Sequence, residues 1–301
     1  MYAIETQGLT KFYGKDRGII DLDLKIEPGE IFGFIGPNGA GKSTTIRTLL
    51  GLIFPTSGSG KIFGMDIVKQ SKEIKKQIGY MPSEVNYYEK MDGQELLSYS
   101  AAFYERDCES RISELADIFS LDLNRKIVDL SRGNRKKISI LQCLIHQPRL
   151  LILDEPTTGL DPLMQAKFFD ILREKNSRGT TIFFSSHTLS EVQKMCRKVG
   201  IIKEGKIIAV EDIETLRKKQ LRKIQVEFAH PVKDKEIDCP GVIAPQVDKN
   251  ILNIMFSGKM EDLLNSLSGK DVKDLIIEEP TLEEIFMHYY SDENEQNKKA
   301  Q

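Results

Sequence analysis

The stretch Gly36-Pro37-Asn38-Gly39-Ala40-Gly41-Lys42-Ser43-Thr44 limits what this chain can fold into more than any other. It fits the pattern G-x-x-x-x-G-K-[S/T] without a mismatch, and its flanks agree. Residues 30–35 before it are a short, mainly apolar run bounded by Gly and Pro, which reads as a buried strand. Residues 45–50 after it, closed by Gly51, read as a helix with a C-terminal stop. The glycines let the backbone curl round a phosphate without Cβ clashes, so that several N–H groups point inward at oxygen. The helix N-terminus adds partial positive charge there. Lys42 brings a full charge to the β- and γ-phosphates, and the Ser43 hydroxyl can ligate Mg²⁺. The segment therefore predicts a site for a nucleoside triphosphate.

Composition narrows the setting. A chain of 301 residues is long for one domain and suits two. With 40% hydrophobic and 29% charged residues, the balance is that of an ordinary globular protein. A net charge of -2 supplies no field that points to nucleic acid. No uncharged apolar run approaches the ~20 residues needed to span a bilayer. The start, Met1-Tyr2-Ala3-Ile4-Glu5, lacks the basic opening and apolar core of a signal peptide. Cys108, Cys143, Cys196 and Cys239 are far apart and form no C-x-x-C pair, which argues against zinc and disulfides and fits a reducing cytosol. A membrane role would need another chain to do the spanning.

Along the chain, residues 1–27 alternate as strands do, with Leu22, Leu24 and Ile26 on one face. Phe12-Tyr13-Gly14 falls in the loop expected between the first strands. An aromatic ring there could stack on a base or simply join the core. Residues 55–64 read as a turn-rich link, and residues 78–84 as a strand broken by Pro82. From Gln94 to Gln147 apolar residues recur at helical spacing, so a helical insertion of about 60 residues is expected inside an α/β domain. The basic run 217–223 reads as a solvated helix end or as a phospholipid or nucleic-acid contact. Beyond it, strands at 224–228, 251–256 and 272–277 and helices at 259–267 and 281–290 make a small α+β module. Residues 291–301 are almost free of apolar side chains and are expected to be disordered.

A triphosphate site also needs a carboxylate for the metal, a base for water and a γ-phosphate sensor. Arg149-Leu150-Leu151-Ile152-Leu153-Asp154-Glu155 reads as a buried parallel strand, and ligands bind at the C-terminal end of such strands. Asp154 suits the metal. Glu155, expected on the opposite side of the strand end, suits the base. Residues 180–187 read as a third such strand that delivers His187 to the same crevice, where its ring can donate to a phosphate oxygen. The segment Leu130-Ser131-Arg132-Gly133-Asn134 precedes a helical stretch at 135–146, and taken alone it is an ordinary Ser N-cap.

In this order the segments resemble the ATP-binding subunit of an ABC transporter. The resemblance covers about residues 1–215. It implies an α/β P-loop NTPase (an ABC ATPase) at 1–215, with a helical subdomain at about 84–147 and a small C-terminal α+β domain at 216–290. It makes Tyr13 the ring that stacks on adenine, residues 36–44 the phosphate loop, and Ser43 and Asp154 the Mg²⁺ ligands. Glu155 becomes the catalytic base and His187 the switch histidine. Asp161, in Gly159-Leu160-Asp161-Pro162, lies in the segment such subunits use at their dimer seam. Ser131, Arg132, Gly133 and Asn134 correspond to the signature L-S-G-G-Q, which acts in trans on the nucleotide of a second subunit; Arg132 and Asn134 depart from it. Ser83 stands where the family carries a glutamine that ligates Mg²⁺ and senses the membrane subunit.

The resemblance also implies ATP and Mg²⁺ as cofactors and a homo- or heterodimer of ATP-binding subunits. It implies a membrane-spanning permease as partner and a place on the cytoplasmic face of the membrane. The C-terminal module, ending near Glu279-Pro280-Thr281-Leu282, is similar to that of bacterial ABC-2-type exporters. Cargo would be a peptide, an antibiotic or a lipid-like molecule. Soluble relatives that act on ribosomes resemble two fused ATPase domains, whereas one phosphate loop is present here. Chromosome ATPases carry long coiled coils, and this chain has no sustained heptads.

Overall fold

Alternating apolar residues start the first sheet. In the computed structural model, which describes residues 1–85, 87–88, 90–214, 222–232 and 237–279, β1 (Ile4–Tyr13) and β2 (Asp16–Ile26) pair antiparallel, with Ile4 opposite Ile26 and Tyr13 opposite Asp16. Leu22, Leu24 and Ile26 all face the core. Tyr13 is thus the last residue of a strand, and the loop is only the two-residue turn after it.

The second sheet carries the site. β3 (Ile31–Ile35), β6 (Ile78–Met81), β7 (Leu150–Asp154), β8 (Thr181–Ser186) and β9 (Lys198–Lys203) are followed by β10 (Lys206–Asp212). They form a six-stranded sheet of order β10-β9-β3-β8-β7-β6, and the pairs from β9 through β6 are parallel. Every residue of β7 and β8 is buried, as expected of strands covered on both faces. Phe34 and Phe183 pack at 5.3 Å between ring centroids, and Phe32 stacks on Phe183 at 6.1 Å. Each such ring contributes roughly 1.5–3 kcal/mol by leaving water.

The helices follow the apolar spacing. Helix α1 (Lys42–Leu49) continues from the phosphate loop, and α2 (Ser71–Lys75) precedes β6. Three helices fill the insertion between β6 and β7: α3 (Gly93–Ala101), α4 (Glu109–Phe119) and α5 (Arg132–Leu144). A capping box of Asp92 and Glu95 starts α3. Ser131 caps α5 by accepting from the Asn134 N–H at 3.2 Å. The helix therefore begins three residues earlier than expected, and Arg132, Gly133 and Asn134 form its first turn. Helix α6 (Pro162–Ser177) links β7 to β8, and α7 (Leu189–Met195) precedes β9. Among the described residues no helix is long and apolar enough to cross a membrane.

One stretch expected as a link is a strand. β4 (Ser57–Ile62) pairs with β1, and β5 (Met65–Asp66) pairs with β4, so the first sheet has the order β2-β1-β4-β5. Its Ser-Gly-Ser-Gly start hid it, because β-propensity cannot register a strand whose partner supplies the packing.

The chain divides into two compact units, Met1–Glu211 and Asp212–Gln301. In the second, β11 (Arg222–Phe228), β12 (Val242–Asp248), β13 (Ile251–Phe256) and β14 (Val272–Glu278) form an antiparallel sheet of order β12-β13-β11-β14. Alternate residues Ile224, Val226 and Phe228 and Leu252, Ile254 and Phe256 are buried with Leu263 of α8 (Met260–Leu267). The β12 strand is an addition to the sequence reading. The basic residues 217–221, the helix expected at 281–290 and the tail 291–301 lie outside the described residues.

Candidate nucleotide site

Sheet order assembles the site. β3, β8 and β7 are neighbours, with Ile35 in register with Ser186, and Asp154 in register with Ser185. Their C-terminal ends release the phosphate loop, His187 and Glu155 at one edge.

The loop is closely packed. A methyl group on Gly36 would lie 2.2 Å from the Ile202 carbonyl oxygen, so only glycine fits. Gly41 caps α1 at φ 112°, a left-handed conformation that leaves the first helical N–H groups open to an anion. Lys42 is 5% exposed, and its ammonium donates to the Gly36 carbonyl at 2.7 Å and the Pro37 carbonyl at 3.2 Å. Its third direction meets Glu155 Oε1 at 3.4 Å. The other oxygen, Oε2, lies 3.3 Å from His187 Nδ1. Lys42, Glu155 and His187 thus form one continuous chain of charged and polar groups.

Strand alternation does not orient Glu155. Its φ is +47°, so the backbone leaves the strand in the left-handed region. Its N–H is held by the Ser185 carbonyl at 3.2 Å and the Ser185 hydroxyl at 3.1 Å. That hydroxyl in turn donates to Asp154 Oδ1 at 2.7 Å. Asp154 is 1% exposed.

A cavity of about 170 Å³ is lined by Arg17, Gly18, Pro37, Asn38, Gly39, Gly41, Lys42, Ser43, Thr44 and Glu155. It is smaller than the roughly 300–1,000 Å³ of a typical small-molecule pocket. That volume would admit a phosphate tail but not a whole nucleotide. Tyr13 is 44% exposed, with the Lys11 ammonium 5.4 Å from its ring centre. A methyl on Gly18 would lie 3.1 Å from the Tyr13 ring and 3.0 Å from Thr44 Cγ2, so the ring flanks the start of α1.

Other expected residues sit apart from this cavity. Ser83 does not line it; its carbonyl accepts from Lys136 Nζ at 3.3 Å. Asp161 caps α6, accepting from the Met164 N–H at 2.9 Å. A methyl on Gly133 would lie 3.7 Å from the Gly159 carbonyl oxygen, and one on Gly159 would lie 3.8 Å from Arg132 Nε. The turn that starts α5 and the loop after β7 therefore adjoin within one chain.

Two residues escaped the sequence reading. Arg17 lines the cavity and pairs with Glu204 at 3.3 Å. Lys136 is 6% exposed, and burial pushes its ammonium down to about 8, against the pull of Asp154 and Glu155. A signal for Lys136 was present: it shares a helical face with Ser139, Ile140 and Cys143, all buried.

A parallel sheet with a phosphate loop after one strand and carboxylates after a neighbour defines a P-loop nucleotide hydrolase. Comparison with known proteins narrows the class. Residues 19–158 match the ABC transporter family. The chain is 34% identical to the bacitracin transport ATP-binding protein BcrA of Bacillus licheniformis, over 94% of this chain and 96% of that one. It is 29% identical to the daunorubicin resistance ATP-binding protein DrrA3 of Streptomyces coeruleorubidus, over 97% and 96%. A solved ATP-binding subunit of an ABC transporter superposes with a TM-score of 0.68 at 29% identity, over 71% of this chain and 92% of that one. The chain belongs to the ABC transporter ATP-binding proteins and is an ATPase of that family.

Proposed function

We propose that the protein binds ATP with Mg²⁺, pairs with a second ATP-binding subunit when it does so, and drives a membrane-spanning exporter from the cytoplasmic face of the membrane. The observation that carries this reading is the continuous Lys42–Glu155–His187 arrangement at the lip of the phosphate cavity. Lys42 and the open N–H groups of the loop hold the β- and γ-phosphates. Glu155 takes a proton from the attacking water, and the half-exposed His187 ring donates to a γ-phosphate oxygen.

The donor set fits Mg²⁺. The Ser43 hydroxyl and Asp154 Oδ2 are hard oxygens, and this ion binds through one or two protein oxygens plus phosphate and water. When bound it neutralises charge on the β- and γ-oxygens. Ser83, through its hydroxyl, is the candidate third contact.

Ser131, Arg132, Gly133 and Asn134 act on the nucleotide of the second subunit, with Asp161 near the seam. The exposure of Ser131 and Arg132 at a helix N-terminus supports that assignment. The permease reading is supported by a groove of about 1070 Å³ beside the Ser83 loop, lined by Pro82, Glu84, Val85, Tyr88, Tyr99 and Phe103 among others. Tyr88 and Phe103 are 62% and 65% exposed, an apolar surface suited to a helix of the permease. That BcrA is a bacitracin transport protein and DrrA3 a daunorubicin resistance protein favours the antibiotic among the expected cargoes. Light scattering on Glu155→Gln tests pairing: a mass that doubles with Mg²⁺-ATP supports the reading, and a mass unchanged at saturating nucleotide refutes it.

A further inference from the structure

Lys136 is a buried cation that no motif requires. It sits one turn into α5, on the face that packs towards the ends of β6 and β7. An ammonium taken out of water costs several kcal/mol unless all its protons find acceptors. Here they do: the Pro82 and Ser83 carbonyls accept at 3.3 Å each, and the Glu155 carbonyl at 3.5 Å. The acceptors lie on two different segments, the loop after β6 and the residue after β7.

The third acceptor matters most. Glu155 adopts φ +47°, a region that strains a non-glycine backbone. Such a conformation persists only where its surroundings over-determine it. The Glu155 N–H is fixed by Ser185 on β8, and its carbonyl accepts from the Thr158 N–H at 3.3 Å as well as from Lys136 on α5. Both ends of the residue are held, so its carboxylate has a defined direction towards Lys42 and His187. Without Lys136 the carbonyl keeps only the local turn to Thr158, with no tie to α5, which lets the backbone relax and the carboxylate turn away.

We propose that Lys136 is a positioning residue for hydrolysis: it ties the Glu155 carbonyl and the Ser83 loop to helix α5, so that the base, the loop and the helical insertion move as one body. The inference rests on Glu155 being the base. It assigns to α5 a second task within its own subunit, besides presenting its N-terminal turn to the other one.

The test compares the full chain with Lys136→Met, which keeps length and apolar bulk but no donors, and with Lys136→Arg, which keeps charge and donors. Amide hydrogen exchange is followed across residues 83–85 together with steady-state ATP hydrolysis. In Lys136→Met, exchange in that loop should quicken about tenfold, and kcat should fall by about 10- to 100-fold with KM for ATP within about twofold. Lys136→Arg should recover most of both. Unchanged exchange in Lys136→Met overturns the tie, as does an equal loss of kcat in both variants or a KM that rises in step with the loss. Should Lys136→Met fail to fold, Lys136→Gln is read by the same criteria. The exchange result does not depend on the role of Glu155, whereas full turnover in Glu155→Gln would refute that role while leaving the tie to be judged by exchange.

Discussion

Replacing Glu155 with glutamine removes a charge with almost no change of shape, and the geometry predicts two opposite effects. At 3.4 Å from Lys42, the carboxylate competes with an incoming phosphate for the ammonium. Coulomb's law gives that pair a gross attraction of about 5 kcal/mol at an effective dielectric near 20. Most of it offsets desolvation of the two groups, and a net of about 1–1.5 kcal/mol is what charged hydrogen bonds commonly leave. Glu155→Gln should therefore bind ATP about five- to tenfold more tightly. Turnover should fall in the same variant, by about 10²- to 10⁴-fold, because an amide cannot take the proton from water. Titration calorimetry reads the affinity, and phosphate release reads the rate. Turnover within about threefold of the wild type would falsify the general-base role. Tighter binding without a rate loss would leave Glu155 as a mere competitor for Lys42.

Other substitutions probe neighbouring parts of the account. Lys42→Ala should weaken ATP binding by about 100-fold or more, through the loss of about 3 kcal/mol of charge-assisted bonding, and calorimetry showing undiminished affinity would contradict it. Ser83→Gln should alter the Mg²⁺ concentration for half-maximal hydrolysis and leave the melting temperature alone, because the Ser83 tie to Lys136 runs through its backbone carbonyl. Identical metal dependence would take the side chain away from the metal. His146 gives a pH signature. Burial pushes its ring down to about 4, stacked 3.8 Å from Tyr104 with Nε2 3.1 Å from the Ile78 carbonyl oxygen. Below the ordinary value of about 6.5 the unfolded chain takes a proton that the folded chain refuses, so stability is lost as pH falls from about 6.5 towards 4, by about 2 kcal/mol at pH 5. Melting between pH 7 and pH 5 should be less steeply pH-dependent in His146→Phe, and equal slopes would refute the assignment.

The parts of the fold legible in the sequence are those whose signal is local. The phosphate loop is contiguous, and β7 and β8 carry short apolar runs at residues 150–153 and 182–184, so they and their order along the chain could be read directly. The β12 strand was missed because Pro245 lies inside it and none of its described residues is buried, so it shows no apolar alternation. Lys136 was passed over because it stands in Arg135-Lys136-Lys137, which looks like a solvated run. The run masks the helical spacing that Lys136 shares with buried Ser139, Ile140 and Cys143, and the three carbonyls that take its protons come from segments distant in the chain. The conformation of Glu155 was equally hidden: a residue type gives no sign that Ser185 and Lys136 will hold its backbone in the left-handed region. Arg17, beyond the turn that follows Tyr13, reaches the cavity only because β1 and β2 pair as they do.

The central claim is that this ATPase works on a membrane protein, and one capture experiment addresses it. Glu155→Gln, loaded with Mg²⁺-ATP, is used to pull partners from detergent-solubilised source cells. Nucleotide-dependent recovery of a multi-spanning membrane protein is the predicted result. Recovery of ribosomes or DNA with no membrane chain would contradict the account.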